Sequence, residues 1–269
     1  MIERFEMIGD HNWATCSADH VARYLFASNY VKDKKVLDVG TGIGYGAAML
    51  KAYGAASVHA IDIDVETVTK ANSLFSSSGI TFQVHDSEQL DKLPEKYDIV
   101  VSFENIEHLS QPMQFIATSK RILNPGGRLI CSSPSRETTS PFVDGKPSNP
   151  YHINEWFRGE FARLFAPHYD NIQEYSQIRS YSLIEKEKGL TALLSLLGNP
   201  IRSPIHHLLI RGVTRFADLA HLGKSIRRAF SLAQDISGIA SPSIQEFPIV
   251  PADVALLFGQ LYGHLVVTH

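Results

Sequence analysis

VLDVGTGIGYG, residues 36–46, joins a short apolar run to a glycine-rich turn. The run KVLDVG predicts a buried strand, and GAAMLKAYG after the turn predicts a helix. Gly40, Gly42 and Gly44 stand at alternate positions, where glycine lets the backbone approach a ligand and leaves N–H donors at the helix start. Because the spacing is not G-x-G-x-x-G, a nicotinamide dinucleotide is disfavoured. Asp38 at the strand end would accept from a cationic group and repel a pyrophosphate.

Short apolar runs continue to alternate with longer amphipathic segments, which indicates an α/β protein with a doubly wound, largely parallel sheet. Further strands are predicted at residues 57–63, 80–86, 97–103, 128–133 and 169–178 and, last, at GHLVVTH, residues 263–269. The intervening residues 182–240 have mostly helical patterns and are expected to form an insertion that acts as a lid or a partner surface. The expected domains are a core of residues 1–181 plus 241–269 and the helical insertion 182–240.

The composition is that of an ordinary globular protein, with 269 residues, of which 44% are hydrophobic and 20% charged. A formal net charge of -3 disfavours a nucleic-acid partner, because phosphate binding needs a basic surplus. The start MIERFEMIGDHNW has no apolar run of signal-peptide length, and no stretch approaches the roughly 18 apolar residues of a transmembrane segment. Two cysteines are too few for a disulfide framework. We therefore expect a cytoplasmic protein.

Acidic residues end the next two predicted strands. Asp62 closes the second strand, where a carboxylate can take a ribose diol, and Asp86 closes the third, where it can meet an exocyclic adenine amine. Strand-end aspartates are also common helix caps. Together with Asp38, they stand at three consecutive strand ends, which predicts a nucleoside cofactor in the crevice at the switch point of the sheet.

The runs VLDVGTGIGYG, AIDID, VHDSEQL, YDIVVSFENIEHL and RILNPGGRLICSSPS follow one another within residues 18–180. In content and order they resemble the successive motifs of class I S-adenosylmethionine-dependent methyltransferases. The resemblance implies a Rossmann-like sheet of seven strands with a reversed final strand, here HLVVTH. It also implies S-adenosylmethionine as the cofactor.

The resemblance places the methionine part of this cofactor against Gly40 and Gly42, with Asp38 meeting its amino group through backbone or water. DHVARYLFA (19–27) and NPYHINEWFRGEF (149–161) also resemble segments of bacterial methyltransferases of polysaccharide and lipopolysaccharide clusters. That likeness adds His20, Arg23 and Tyr24 as candidates for closing over the cofactor. Gly44 and Phe103 are the remaining residues that we expect to bind the methionine end of the cofactor.

At the nucleoside end, the resemblance assigns the ribose hydroxyls to Asp62 and the adenine face to Ile63. Asp86 and Ser87 would read the adenine edge. These assignments agree with what the strand-end carboxylates predict from their positions.

ENIEH, residues 104–108, follows the fourth strand and so opens at the same edge of the sheet. If a helical turn begins there, Glu104, Glu107 and His108 share one face. Two carboxylates and an imidazole suit Mg, Mn, Fe or Zn. Two alternatives remain: His108 as a general base without metal, because imidazole titrates near neutral pH, or glutamates that only favour a helix start.

The run resembles the E-x-x-E-H of methyltransferases that 2'-O-methylate small-RNA ends and of those that O-methylate the catechol ring of ubiquinone precursors. In the RNA group a later loop ending D-H-x-F-E-W supplies another histidine, and YHINEW supplies His152 here. Tyr151 and Asn154 depart from that pattern. The expected metal ligands, for Mg, Mn or Zn, are Glu104, Glu107, His108 and His152, and the expected catalytic residues are His108, His152 and Glu104.

These observations predict an O-methyltransferase that acts on a hydroxyl of a sugar, a glycan or a related small molecule, with a divalent metal orienting the acceptor. One alternative is an RNA 3'-end 2'-O-methyltransferase, and another is a metal-free small-molecule enzyme that uses His108 as general base. A third is a non-enzymatic cofactor-binding subunit whose insertion 182–240 docks a partner. The same insertion is the expected surface for any oligomer.

Overall fold

A computed structural model describes residues 18–137, 147, 149–180, 249–251 and 259–268 of the chain. The predicted insertion 182–240 and both of its boundaries lie outside the described residues, so the division into two domains stays a prediction. Within the described ranges, no helix is long and apolar enough to cross a membrane.

The described residues form one eight-stranded sheet with the order β3-β2-β1-β4-β5-β8-β6-β7. Its strands are β1 Lys35–Val39, β2 Ser57–Asp62, β3 Ile80–Val84, β4 Tyr97–Ser102, β5 Leu123–Pro134, β6 Ile172–Ser180, β7 Ile249–Pro251 and β8 Gly259–Thr268. Strands β1 to β5 are parallel, whereas β8 is antiparallel to both β5 and β6. The predicted doubly wound sheet with a reversed final strand is confirmed.

The sheet has one strand more than the seven expected. The addition is β7, which has three residues and pairs with β6 at the edge of the sheet. It ends in Pro251, which has no N–H for a ladder bond, as is common at sheet edges. So short a strand has no alternation by which the sequence could reveal it.

In the part of the chain that the structure describes, five helices and two 3-10 turns accompany the sheet. The helices are α1 Ala18–Ser28, α2 Tyr45–Ala52, α3 Val65–Phe75, α4 Pro112–Ile122 and α5 Glu160–Arg163, and the 3-10 turns are Ser87–Lys92 and Ile106–His108. The central strands are buried on both faces, as their continuous apolar runs require. Successive residues alternate between two hydrophobic clusters: Val36 and Ile99 pack on one face, and Leu37 and Val100 on the other.

The strand order places the ligand crevice. Strands β2 and β3 extend from β1 in one direction and β4 and β5 in the other, so the chain direction of the crossovers reverses between β1 and β4. In open doubly wound sheets the carboxyl ends of the strands at this switch point border the ligand site. The glycine turn after β1 and the ENIEH run after β4 therefore face each other across it.

Close packing of α1 against α2 determines what else reaches the crevice. A Cβ atom on Gly46 would lie 2.0 Å from Cζ of Tyr24, so only glycine lets the tyrosine ring cross α2 here. The ring also meets Tyr45 and Phe103 edge-on, with centroids 5.7 and 5.1 Å away. These contacts direct the Tyr24 hydroxyl towards the end of β1.

Candidate active site

The glycine turn after β1 is fixed on one side and open on the other. The N–H groups of Gly40 and Thr41 both donate to the Ile61 carbonyl at 2.9 Å. Gly40 and Gly42 adopt φ of 74° and 56°, which favour glycine. A Cβ on Gly40 would lie 3.0 Å from Asn105 Oδ1, whereas one on Gly42 would meet no atom within 4 Å. The backbone at Gly42 therefore borders open space that a ligand can occupy.

Gly44, also predicted to bind the cofactor, lies at the start of α2 with φ 89°. A Cβ there would come within 2.6 Å of the Phe82 ring. Its visible role is to let α2 pack against β3. Phe103 is buried, at 4% exposure, and its contact with the Tyr24 ring places it behind the crevice.

Asp38 lies at the end of β1, fully buried beside two hydroxyl groups. Thr41 Oγ1 donates to Asp38 Oδ2 at 2.6 Å, and the Tyr24 hydroxyl donates to Oδ1 at 3.1 Å. Burial raises the pKa of Asp38 to about 6, although these hydrogen bonds oppose the rise, and the charge of Asp62 adds to it. Burial likewise raises the pKa of the Tyr24 hydroxyl well above its usual value, so Tyr24 remains a donor. A cationic ligand would stabilise the ionised form of the Asp38 carboxyl group.

Asp62 ends β2 with its carboxylate beside the glycine turn. Its Oδ2 accepts from the Gly42 N–H at 2.9 Å, and its Oδ1 accepts from the Asp64 N–H at 3.0 Å. A carboxylate has about four acceptor sites, so each oxygen retains one for a ligand. The next residue, Ile63, is 58% exposed and offers an apolar face. A carboxylate followed by an exposed aliphatic side chain suits a ribose and its base.

Asp86 and Ser87 lie after β3, at the start of a 3-10 turn. The Asp86 carboxylate accepts from the Glu88 N–H at 2.8 Å and from Gln89 Nε2 at 3.0 Å, so it caps that turn. Ser87 is buried, and its hydroxyl donates to Asn105 Oδ1 at 3.3 Å. Asn105, which the sequence did not single out, thus contacts both the nucleoside side and Gly40.

Glu104 does not share a face with Glu107 and His108, which corrects the expectation of a helical turn from residue 104. Its φ is 49°, outside the helical region, and the 3-10 turn begins only at Ile106. The Glu104 carboxylate instead accepts from Ser132 Oγ at 2.7 Å and lies 3.3 Å from Arg23 Nη2.

Glu107, His108 and His152 form a compact group. A carboxylate oxygen and one ring nitrogen from each histidine lie within 4.8 Å of one another. Glu107 is fully buried, and its Oε1 lies 3.9 Å from Nε2 of His108. Nδ1 of His108 lies 2.9 Å from the carbonyl oxygen of Tyr151, to which it can only donate. Nε2 of His108 is therefore the unprotonated nitrogen of the neutral ring.

His152 is oriented in the same manner by residues that the sequence did not reveal. Its Nδ1 lies 2.8 Å from Glu155 Oε1, and its Nε2 lies 2.9 Å from Asn149 Nδ2. Asn149 Oδ1 accepts from the Tyr151 N–H at 3.0 Å, which turns the amide donor towards His152. Asn149 and Glu155 each lie three residues from His152, and this spacing is the sequence signal by which they could have been found.

Hydrogen bonds to backbone carbonyls hold the segment with His152 against the 3-10 turn that follows β4. The N–H groups of Ile153 and Asn154 donate to the Glu107 carbonyl at 2.9 and 3.0 Å. Asn154 Nδ2 donates to the Leu109 carbonyl at 2.9 Å. These bonds bring His108 and His152 together, and their rings meet edge-on with centroids 5.1 Å apart.

The central part of this architecture resembles known proteins. Residues 37–131 match the protein family described as a methyltransferase domain. A probable S-adenosylmethionine-dependent methyltransferase of Mycolicibacterium smegmatis is 34% identical over 146 residues, which are 54% of this chain and 55% of that protein. A ubiquinone biosynthesis O-methyltransferase of Photobacterium profundum is 33% identical over 122 residues, which are 42% of this chain and 52% of that protein. The chain thus spans about half the length of these relatives.

The fold recurs in solved structures of low sequence identity. The [4+2]-cyclase SpnF superposes with a TM-score of 0.56 at 14% identity, over 98% of this chain and 86% of that one. Because this structure is named a cyclase and not a methyltransferase, the fold alone does not specify the reaction. The sequence match is more specific, because its range contains the glycine turn, the strand-end carboxylates and the ENIEH run. The likeness to the methyltransferase-domain family thus covers residues 37–131, the part of this chain that carries these features.

Proposed function

We propose that this protein is an S-adenosylmethionine-dependent O-methyltransferase that acts on a hydroxyl of a small molecule. The observation that carries the proposal is the group formed by Glu107, His108 and His152 directly after β4, across the crevice from the glycine turn. A cofactor pocket alone would serve many reactions. A basic imidazole nitrogen beside it supplies what an acceptor hydroxyl requires, which is a means of losing its proton.

The crevice offers a matching group for each part of the cofactor. The buried carboxylate of Asp38, with the Tyr24 hydroxyl, suits the ammonium group of the methionine part. The free acceptor sites of Asp62 suit the ribose diol, and exposed Ile63 suits the adenine face. When bound, this cofactor supplies a sulfonium methyl group, so the protein's task is to align an acceptor oxygen with it.

The pH dependence of cofactor binding tests the role of Asp38. Its pKa of about 6 means that about one-tenth of it is ionised at pH 5, and an ammonium group pairs only with the ionised form. Affinity for S-adenosylmethionine should therefore rise about tenfold from pH 5 to 7, level off, and fall above about pH 8 as the α-amino group deprotonates. Isothermal titration calorimetry measures this, and Asp38→Asn should bind more weakly and without the rise near pH 6. An equal rise in that variant would contradict the role.

The three-residue group fits a divalent cation. Each histidine presents Nδ1 to an acceptor, the Tyr151 carbonyl or the Glu155 carboxylate, which is how metal-binding histidines are usually oriented. Two atoms bound to one ion at about 2.1 Å lie at most about 4.2 Å apart, so atoms 4.8 Å apart must close by a fraction of an ångström. Binding through Nε2 of His152 would also displace the Asn149 amide.

We propose Glu107, His108 and His152 as the ligands of a Mg, Mn or Zn ion. Such an ion would lower the pKa of an acceptor hydroxyl and orient it. Without an ion, Nε2 of His108 takes the proton itself, because the Tyr151 carbonyl holds its tautomer. His108 is about one-third exposed, so an acceptor can reach it, whereas Glu107 is buried behind it.

Two exposed side chains of the segment that contains His152 favour an acceptor with a ring. Ile153, directly after His152, is 57% exposed, and Phe157 is 40% exposed with the Arg136 guanidinium 4.6 Å above its ring. Apolar and aromatic side chains of this kind stack on sugar or catechol rings. The likeness to glycan-cluster enzymes supports a sugar, and the relative from Photobacterium profundum is named an O-methyltransferase of ubiquinone biosynthesis. The net charge of -3 makes RNA the weaker candidate.

Methyl transfer to two probe acceptors tests the proposal and the metal together. Radiolabelled S-adenosylmethionine is incubated with 3,4-dihydroxybenzoate, a catechol, or with methyl glucoside, a sugar diol. We expect label in at least one, loss of transfer in excess chelator, and recovery with Mg²⁺ or Mn²⁺. Full transfer in excess chelator would contradict the proposed metal site and leave His108 as the general base. Cofactor binding without transfer to either probe, or to an RNA duplex end, would count against methyl transfer and favour a cofactor-binding subunit that docks a partner through residues 182–240.

A further inference from the structure

A buried ion-pair group ties α1 to the residue that follows β4. Arg23, on α1, is 1% exposed, and its Nη2 lies 3.3 Å from Glu104 Oε2 and 3.4 Å from Asp19 Oδ2. Ser132 Oγ, on β5, donates to Glu104 Oε1 at 2.7 Å. Both carboxylate oxygens of Glu104 therefore have partners within the protein, one on α1 and one on β5.

The backbone of Glu104 shows that this arrangement is imposed by its surroundings. A φ of 49° is rare for a residue with a side chain and persists only where neighbouring groups hold it. The Glu104 N–H lies 3.3 Å from the same Ser132 hydroxyl that contacts its carboxylate. In this position Glu104 points towards α1, away from the group of Glu107, His108 and His152.

We propose that Glu104 is a positioning residue, which with Arg23 fastens α1 to the end of β4 and so holds the Tyr24 hydroxyl on the Asp38 carboxylate. Tyr24 directly follows Arg23 in α1, and Asp38 is the penultimate residue of β1, the strand next to β4. The inference rests on the proposed function, because it assigns Glu104 to the cofactor side of that site. It replaces the metal-ligand role expected from the E-x-x-E-H run.

A consequence is that Glu104 affects cofactor binding without touching the cofactor. If α1 is released, Tyr24 no longer donates to Asp38, and a carboxylate that loses a donor becomes harder to ionise. The groups facing Asp38 are Tyr24 from α1, Thr41 from the glycine turn and Asp62 from β2. Removing the negative charge of Glu104 would by itself act in the opposite direction and favour ionisation. The direction of the change therefore distinguishes positioning from plain electrostatics.

The test compares Glu104→Gln with Glu107→Gln and Tyr24→Phe in the full chain. Calorimetry gives the affinity for S-adenosylhomocysteine, which has the same ammonium group, from pH 5 to 8, and electron paramagnetic resonance gives the affinity for Mn²⁺. We expect Glu104→Gln to resemble Tyr24→Phe, with about tenfold weaker binding at pH 6 and a midpoint moved above pH 6. Mn²⁺ affinity should stay within about twofold, since Glu104 is not a ligand. Glu107→Gln should leave the midpoint unchanged.

A midpoint in Glu104→Gln that stays in place or moves down would overturn the proposal, and so would a loss of Mn²⁺ affinity equal to that in Glu107→Gln. Should Glu104→Gln fail to fold, Ser132→Ala removes a single hydroxyl from the same carboxylate and should move the midpoint in the same direction. Failure of the proposed function has another signature, which is seen in the unsubstituted protein: it would then either not bind S-adenosylhomocysteine at all or bind it and transfer no methyl group to the probe acceptors.

Discussion

Replacement of His108 by alanine is expected to lower the rate of methyl transfer by about 10²- to 10⁴-fold while leaving cofactor affinity nearly unchanged. Nε2 of His108 is the exposed basic atom of the group after β4, whether it takes the acceptor proton or binds an ion. The cofactor contacts that we propose lie on α1, on β1 and at the end of β2, so they survive the change. Single-turnover transfer to the probe acceptor measures the rate, and calorimetry with S-adenosylhomocysteine measures the affinity.

His108→Asn separates chemistry from structure. Its amide can still donate to the Tyr151 carbonyl, 2.9 Å from Nδ1 in the parent protein, but it has no counterpart of Nε2. The Asn variant should therefore be as slow as the Ala variant. A rate restored by asparagine would mean that His108 only anchors the loop at Tyr151. His168→Ala, after α5 and outside the crevice, should retain the full rate.

The fold was predictable because its signals are local and repeated. Each central strand is an apolar run of five or six residues, buried on both faces, and a turn with glycine or aspartate follows β1 and β2. The reversed direction of β8 came from family resemblance, since an apolar run carries no direction. β7 was missed because three residues at a sheet edge form no pattern.

The candidate site was predictable only in part, because side-chain direction depends on contacts distant in sequence. The i, i+3, i+4 rule applies within a helix, and Glu104 lies before the turn with a positive φ that no spacing reveals. The pairing of His108 with His152 depends on backbone bonds to the Glu107 carbonyl. Gly46 was predicted only as the first residue of the helix after the turn, yet it makes room for the ring of Tyr24.

The second large effect is expected for Asp62→Ala, which should weaken S-adenosylmethionine binding about 100-fold, or ~3 kcal/mol, because hydrogen bonds to a charged acceptor contribute about 1.5–3 kcal/mol each. The loss has two sources. The ribose diol loses its acceptor, and Gly42 N–H loses a bond of 2.9 Å that fixes the turn beside the open crevice. Calorimetry is done at pH 7, where Asp38 is mostly ionised, so that the effect of Asp62 on affinity is measured separately from the titration of Asp38.

Two variants tell these sources apart. Asp62→Asn retains one oxygen for the Gly42 N–H but loses the charge, so it should fall between the parent and Asp62→Ala, at about tenfold weaker binding. Asp64→Ala is the matched control: Asp64 caps α3 by accepting from the Thr67 N–H at 2.7 Å, so its loss should cost about 1 kcal/mol of unfolding free energy and little affinity. If Asp64→Ala weakened binding as much as Asp62→Ala, the affinity would depend on the start of α3 and the ribose role of Asp62 would be wrong. Because both variants change a carboxylate at the same strand end, general loss of charge cannot produce the expected difference.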